Sequence, residues 1–470
     1  MDARRNSHWL SEAIAPDEEN SPSLHGDISA DVCIVGGGFT GLWTALALKQ
    51  QEPTLDVVIL EKDVCGAGAS GRNAGYVLSW WAKFASLEKI CGGEEAVRLA
   101  VASAEAVNAI GDFCRQEGID AHYRRDGWLW AATSDQQVGS WNGTVEAAER
   151  YQQHPFERWS PEEVVARSGT TRYQAGIFEP GAASVQPAAL ARGLRRSALA
   201  RGVRIFENTP LTKLKGAAKP EVITPKGRVK AAKLVLAMNA WGIRFAAIRR
   251  AIVVVSCDMI MTEAMPERIK EIGWPGDLLI TDSRMLINAQ CTTRDGRIGF
   301  CKGGMNGRLP YGSHVGTKLD GPSPLREDVI SWLAWTYPKL GRVRPASSWM
   351  GPIDRSKDGL PHFGALEGRP NVFHAVGYSG NGVGPSYLGG KILASLALEK
   401  QDEWSGCSLV RPLGRDFPPE PIRYFGGKLV RSAIARTDAA ADKGKSPGPL
   451  TRYLAGFAPA GLSPFKGQKT

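Results

Sequence analysis

No apolar run in this chain approaches the roughly 18–20 residues that a membrane-spanning helix needs, which excludes a segment of that kind. Met1 to Asn20 mixes charges and lacks an apolar core, so no secretory signal is visible. Cysteine is sparse and unpatterned: the eight residues (33, 65, 91, 114, 257, 291, 301 and 407) contain no C-x-x-C pair. They read as reduced, mostly buried thiols of a cytoplasmic protein, not as disulfides or zinc ligands. The seven histidines are equally dispersed, so no metal site is expected. No internal repeat appears, which removes solenoids and propellers. At 470 residues, two domains of ordinary size are expected.

The strongest pattern lies between residues 31 and 61. Asp31 to Val35 reads as a buried strand, and Gly36-Gly37-Gly38-Phe39-Thr40-Gly41 follows with G-x-G-x-x-G spacing. Leu42 to Lys49 then reads as a helix, and Val57 to Leu60 as a second strand closed by Glu61. In such a unit the first glycine turns the chain, the second admits a pyrophosphate to backbone N–H groups, and the third lets helix pack on strand. The phosphates sit at a helix N-terminus, where free N–H groups and the macrodipole favour anions. Glu61 stands 20 residues after Gly41, where an acid accepts the ribose hydroxyls of an adenine dinucleotide.

A second glycine-rich loop spans Gly66 to Gly75. Helices are predicted over Glu94 to Gln116, Ser134 to Tyr151, Pro187 to about Arg201, and Asp328 to Tyr337, with a strand over Gly127 to Ala132. Short β-rich runs at 252–255, 259–262, 285–287 and 298–300, separated by turn signals, predict an antiparallel sheet. Val372 to Val376 is one more buried strand, followed by a third glycine loop and a helix from Pro385 to Glu399. The fold class expected is α/β (α+β): a Rossmann-like domain assembled from segments 28–92, 160–245 and 345–402, with a mostly antiparallel substrate domain from 93–159 and 246–344. Residues 403–470 form a basic extension; its last sixty residues, 411–470, hold 11 Lys/Arg against 4 Asp/Glu. It reads as a solvated appendage, with an anionic partner, a membrane surface or a neighbouring subunit as alternatives. Residues 429–436 show some helical periodicity, but Pro447, Pro449, Pro459 and Pro464 are expected to keep the remainder irregular. It carries no nucleic-acid recognition motif.

The first fingerprint does not choose between NAD and FAD. Gly377-Tyr378-Ser379-Gly380-Asn381-Gly382-Val383-Gly384 places another glycine loop at a helix N-terminus. That suits a cofactor with a second electron-rich end, such as the N1–C2=O edge of a flavin, which gains negative charge on reduction. An ordinary strand-to-helix turn is the plain alternative.

Across residues 28 to 400 the stretches DVCIVGGGFTGLWTALAL, ILEK, GAGASGRNAGYV, SVQPAAL, AMNAWG, WMGPIDRSKDGLPHFG and HAVGYSGNGVGPSYLGGKILA follow in order. In these the chain resembles the D-amino-acid oxidase / glycine oxidase superfamily of FAD-dependent oxidoreductases, and within it the gamma-glutamylputrescine oxidoreductase-type amine oxidases. The resemblance implies FAD extended across the first domain. It implies that Gly36, Gly38, Phe39, Thr40 and Gly41 hold the pyrophosphate, and Glu61 and Lys62 the adenosine end. Ser70, Arg72, Asn73, Ala74 and Gly75 would meet the pyrophosphate, ribityl chain and flavin ring. Leu211 would meet adenine through its backbone, Ala237, Asn239 and Trp241 would follow the adenosine half, and Gly380, Asn381, Gly382 and Val383 would line the flavin's carbonyl edge. Taken as residues alone, Ser70 and Asn73 also suit a turn, Arg72 a surface cation and Trp241 a core.

Two departures bear on substrate. Amino-acid oxidases of this pattern carry an arginine two residues after the glycine of W-x-G, gripping the substrate α-carboxylate; Trp349-Met350-Gly351-Pro352-Ile353 places Ile353 there. Burying that anion unpaired would cost several kcal/mol, so a plain α-amino acid is disfavoured, although Arg355 stands close by. Where relatives often carry a Tyr-Arg pair facing the flavin, this chain has Asn288-Ala289-Gln290-Cys291. Ile353, Arg355, Gln290 and Tyr378 are therefore the expected substrate contacts. Lys302, Tyr378 and Trp349 are catalytic candidates, each with a surface or core role as the plain alternative.

The expected reaction is oxidation of an amine C–N bond to an imine, hydrolysed to an aldehyde, with oxygen as acceptor giving hydrogen peroxide. No cysteine lies between Cys301 and Cys407, so FAD is expected to be non-covalent. The alternatives are a dehydrogenase passing electrons to a quinone or protein, an NAD-dependent enzyme, and a flavin-binding subunit without turnover.

Overall fold

In a computed structural model, residues 7–14, 21–274, 276, 278–304, 308–316 and 319–461 are described. Part of the Met1 to Asn20 segment, and Pro464 of the extension, lie outside them. Two eight-stranded sheets carry the architecture.

The first runs His362–Leu366, Arg369–Val376, Gly227–Leu236, Gly26–Val35, Val57–Leu60, Arg204–Phe206. Along this path four pairings are parallel and the His362–Leu366 edge is antiparallel; off the path, Glu221–Thr224 pairs antiparallel with Gly227–Leu236 and Lys213–Lys215 antiparallel with Glu221–Thr224. Gly26–Val35 has Val57–Leu60 on one side and the much later Gly227–Leu236 on the other, so the topology switches at its carboxyl end, where α/β sheets bind ligands. Val32 and Ile34 face the apolar sides of helix Phe39–Gln51 (Leu42, Trp43, Leu46) and helix Val383–Ala397 (Leu388, Ile392, Leu393) in one buried cluster. The opposite face (Cys33, Val35, Val58, Leu60) packs on a separate cluster with Leu234 and Leu236.

The second sheet runs Pro345–Ser356, Ile252–Thr262, Ile298–Gly303, Asn288–Thr292, Leu279–Asp282, Trp128–Ala132, Ala175–Glu179, Glu157–Trp159. All its pairings are antiparallel except Leu279–Asp282 with Trp128–Ala132. Ala175–Glu179 and Pro345–Ser356 pair here although they lie in stretches grouped above with the first domain. The runs at 252–255 and 259–262 are one strand, Ile252–Thr262, because Ser256 to Asp258 continue the alternation of buried and half-buried positions instead of turning. Met285 to Ile287 is irregular and its strand begins at Asn288. The helix expected from Ser134 is confined to Asn142–Glu149, after turns that include Gly139 at φ +77°.

Two further expectations are corrected. Cys257 and Cys301 are not free thiols but a disulfide. Pairing of their strands aligns Cys257 with Gly303 and Met259 with Cys301, leaving the two Cα atoms 6.6 Å apart, within bridging range. The other six cysteines are free. Second, the C-terminal extension is not a solvated appendage. Helix Ile422–Ala441 is followed by helix Pro449–Ala455, with Pro449 in the first-turn position where its missing N–H is harmless. Asp438 accepts the N–H groups of Met285 (3.1 Å) and Leu286 (2.9 Å), Arg284 pairs with Asp442, and Arg431 Nε donates to the Gly304 carbonyl at 2.7 Å. Each contact satisfies backbone or charge on the second sheet's loops, which composition alone cannot reveal.

Glu207 ties the first sheet to the second glycine loop. Fully buried, it accepts from Cys65 N (2.7 Å), Ser21 N (2.7 Å) and Arg192 Nη1 (2.9 Å), and Arg195 Nε lies 3.2 Å away. Removing one partner of a buried charge cluster strands the others. Glu207→Leu is expected to lower the unfolding free energy by about 3–5 kcal/mol, read as a lower urea midpoint at unchanged slope.

Candidate functional site

A cavity of about 1380 Å³ is lined from both sheets. Three separated turns converge on it. Phe39 N donates to Ser70 Oγ at 2.9 Å, and Gly66 N to the Gly37 carbonyl at 3.0 Å, joining the first turn to the second. Thr40 Oγ1 donates to Tyr378 Oη at 3.0 Å, joining it to the third. Asn381 Nδ2 donates to the Ser79 carbonyl at 2.9 Å, just beyond the second loop. These contacts span up to 338 residues of chain between partners.

The first turn is built by close approach. Gly36 has φ +117°, and a Cβ there would lie 2.3 Å from the Ala237 carbonyl oxygen. A Cβ on Gly41 would lie 2.0 Å from the Gly36 carbonyl oxygen, so Gly41 packs helix on strand and does not itself line the cavity. Gly75 likewise stands behind the wall. Gly36, Gly38, Phe39 and Thr40 line it, with Gly38 capping helix Phe39–Gln51 without any side-chain acceptor. Glu61 and Lys62 follow; Glu61 accepts from Gly37 N (2.8 Å) and Asp63 N (2.9 Å), and burial raises its pKa against the pull of those N–H groups. The Lys62 ammonium lies 4.5 Å from the centre of the Trp241 ring, and both line the cavity with Leu211, Ala237 and Asn239.

Ser70, Arg72, Asn73 and Ala74 line the next stretch. Their side chains are partly committed to the protein. Asn73 donates to the carbonyls of Ala69 and Ser70 and accepts from Gly75 N at 2.7 Å, shaping the turn. Arg72 donates to the Ala67 carbonyl at 2.8 Å and pairs with Asp320. Gly380, Asn381, Gly382 and Val383 complete the far end, leading into helix Val383–Ala397. Asp354 braces this end: it accepts from Gly377 N (2.6 Å) and Asn239 Nδ2 (2.9 Å), and burial pushes it up to about 7.

Strand register decides which substrate-side candidates face the cavity. Val253 pairs with Arg355, Val255 with Ile353 and Cys257 with Gly351, and all six line it. Tyr378 lines it as well. Lys302, Gln290 and Trp349 do not. Lys302 alternates with the cavity-lining Cys301 and Gly303; its ammonium donates to the Leu286 carbonyl and lies 4.2 Å from the centre of the Trp332 ring. Gln290 donates to the hydroxyls of Tyr173 and Tyr337, while its neighbour Ala289 lines the cavity. Trp349 Nε1 donates to the Arg72 carbonyl at 2.9 Å. Sequence reasoning missed Tyr76, Trp128, Val255 and Met259, which line the wall. The two-residue alternation of Ile252–Thr262 is the signal that would have found Val255 and Met259. It also missed Lys83 and the extension, whose Ile422, Arg431, Phe457 and Pro459 line the cavity.

The donor set fits an extended dinucleotide: an uncapped helix start beside the middle, a buried acid with a cation and an indole toward one end, and a glycine turn at the other. The family described as FAD dependent oxidoreductase (DAO) matches residues 31–396. The gamma-glutamylputrescine oxidoreductase of Escherichia coli (strain K12) is 29% identical over 80% of this chain and 85% of its own length. The glycine oxidase of Geobacillus kaustophilus (strain HTA426) is 25% identical over 82% of this chain and 98% of its own. Among solved structures, the glycine oxidase from Geobacillus kaustophilus superposes with a TM-score of 0.66 at 22% identity, over 82% of this chain and all of that one. The L-amino acid deaminase from Proteus vulgaris, with its specific insertion deleted, gives 0.64 at 18% identity over 83% and 97%. The extension from 422 onward lies beyond the matched family segment.

Gly41→Val drives a side chain into the Gly36 carbonyl and is expected to weaken cofactor retention tenfold or more, about 1.4 kcal/mol, seen as loss of absorbance near 450 nm in the purified protein. Asp354 carries a pH signature: its folded pKa of about 7 lies above the ordinary 3.8, so the folded protein holds a proton that the unfolded chain has released. Its contribution to stability is full below pH 3.8 and falls as pH rises toward 7. Asp354→Asn is expected to flatten the fall in melting temperature across that window.

Proposed function

The chain belongs to the DAO family of FAD-dependent oxidoreductases, and we propose that it oxidises the C–N bond of a primary or secondary amine, not a plain α-amino acid, to an imine that hydrolyses to an aldehyde. The observation carrying this reading is Ile353. It lines the cavity opposite Val255, and a Cβ on Gly380 would lie 3.9 Å from its side-chain carbons, so an aliphatic group stands beside the third loop. An α-carboxylate held there would be desolvated with no partner. The naming of one relative as a gamma-glutamylputrescine oxidoreductase is in keeping with an amine substrate.

Bound FAD supplies the two-electron acceptor, with oxygen as the final acceptor and hydrogen peroxide as product. The protein's share is positioning. Gly36, Gly38, Phe39 and Thr40 with Ser70 and Asn73 hold the middle of the cofactor, Glu61, Lys62, Leu211, Ala237, Asn239 and Trp241 the adenosine end, and Gly380 to Val383 the flavin edge. Val255, Met259, Ala289 and Ile353 keep water from the reacting carbon, and Tyr378, tied to Thr40, fixes the aromatic wall. No general base is assigned. Non-covalent FAD is supported by the two cavity-lining cysteines, Cys257 and Cys301, being bonded to each other.

Anaerobic mixing with a panel of primary amines is expected to bleach the flavin, and with oxygen to yield one peroxide per amine consumed. Bleaching by α-amino acids in preference to every amine would overturn the Ile353 argument. Bleaching without peroxide would assign a quinone or protein acceptor. Ile353→Arg is expected to raise kcat/KM for a small α-amino acid relative to the amine by tenfold or more.

A further inference from the structure

Two cations on the cavity wall, Lys83 and Arg355, take no part in the positioning described above. Arg355 follows Ile353 on the same face of its strand, about 7 Å further along, and Lys83 opens helix Phe84–Cys91 from the neighbouring turn. They reach adjacent residues of the extension: Arg355 Nη2 donates to the Ala460 carbonyl at 3.0 Å, and Lys83 Nζ to the Gly461 carbonyl. The strap bearing these carbonyls is itself fixed by Ala460 N donating to the Lys357 carbonyl at 2.9 Å. A guanidinium offers five donors and an ammonium three, and among the described residues these two neutral carbonyls are their hydrogen-bond acceptors. Arg355 Nε is buried with no partner, and Lys83 is only 5% exposed.

The carboxylates nearby are engaged elsewhere. Asp358, which faces Lys83, is held by Arg411 at 2.7 Å and lies 3.5 Å from His362. Glu61 and Asp354 on the cavity wall are bonded to backbone N–H groups of the glycine turns. Asp416 lies in the extension, and Lys89 and Lys357 add further positive charge to the lining. Burial lowers Lys83 to about 7, with the charge of Arg355 pushing the same way and Asp358 opposing. A buried ammonium beside a half-buried guanidinium, both hydrogen-bonded among the described residues only to neutral carbonyls, favours an anion that arrives to pair with them.

We propose that Lys83 and Arg355 form an anion subsite that takes a carboxylate at the far end of an amine substrate, several bonds from the reacting C–N bond. This rests on the amine-oxidising reading and names its substrate class. The set-back from Ile353 supports it: an α-carboxylate is one bond from the reacting carbon and cannot span a two-residue step of the strand, whereas an ω-amino acid can.

The test compares 6-aminohexanoate with hexylamine on the FAD-loaded enzyme, alongside titration with glutarate, which carries no oxidisable amine. The expected result is a KM at least tenfold lower for 6-aminohexanoate. In Arg355→Leu and in Lys83→Met the ratio of kcat/KM values (6-aminohexanoate over hexylamine) falls tenfold or more, partly restored in Arg355→Lys. Glutarate is expected to perturb the flavin spectrum of the wild type and to do so far more weakly in both variants. Equal losses for the two substrates, with a changed reduced-flavin spectrum, would mean that the cations serve the cofactor and would overturn the proposal. So would a wild type indifferent to the carboxylate. If no amine bleaches the flavin, the amine reading fails, and glutarate binding still decides the subsite.

Discussion

The approach of Gly41 to the carbonyl of Gly36 is the constraint on which the site depends. With a Cβ at position 41 only 2.0 Å from that oxygen, helix Phe39–Gln51 could not seat on strand Gly26–Val35. Its first turn could not then present Phe39 N to Ser70 or Thr40 to Tyr378. Those two hydrogen bonds, with Gly66 N to the Gly37 carbonyl and Asn381 to the Ser79 carbonyl, tie the other two glycine turns to the first. One steric fact about a pair of glycines therefore fixes how three segments, distant in sequence, come to bound a single elongated cavity.

A second constraint comes from the antiparallel sheet. Side chains on a strand alternate between faces, so register divides the candidates without regard to their chemistry. Ile353 and Arg355 fall on the cavity face with Val253 and Val255, while Lys302 and Gln290 fall on the other. There Lys302 serves packing and charge balance: it sits over Trp332, and Asp282 and Arg284 are the charges felt most strongly by its ammonium. Burial lowers it to about 8, as expected of a cation enclosed among partners and away from a substrate.

The parts legible in the sequence were those that local sterics dictate. A glycine at a forced close approach, an acid at the end of the next strand and a proline opening a helix leave marks within a few residues, so the first strand–turn–helix–strand unit and the helix from Pro187 could be read in advance. The remainder depends on pairings across long separations. The Cys257–Cys301 bridge closes over 44 residues through a register that no spacing rule encodes. The docking of the extension rests on Asp438 meeting two backbone N–H groups near residue 285, and on carbonyls meeting Lys83 and Arg355. Net charge suggested a free basic tail because composition counts charges and not their partners: Arg423 is buried against Glu420, and Arg431 is taken up by Gly304.

The extension also changes how the site's specificity is to be understood. The matched family segment ends at 396, yet residues of 422–461 form part of the cavity wall and accept hydrogen bonds from the two cations near the aliphatic position. The matched family segment thus supplies the three glycine turns, and segments outside it contribute to the wall of the same cavity. Binding energy taken up far from the reacting bond can be used to orient that bond. On the proposed reading, an anchoring charge at Arg355 and an apolar surface at Ile353, one two-residue step apart on the same strand, divide those two tasks. On that reading the reacting carbon needs no charged side chain beside it, which is the condition under which Ile353 suits the site.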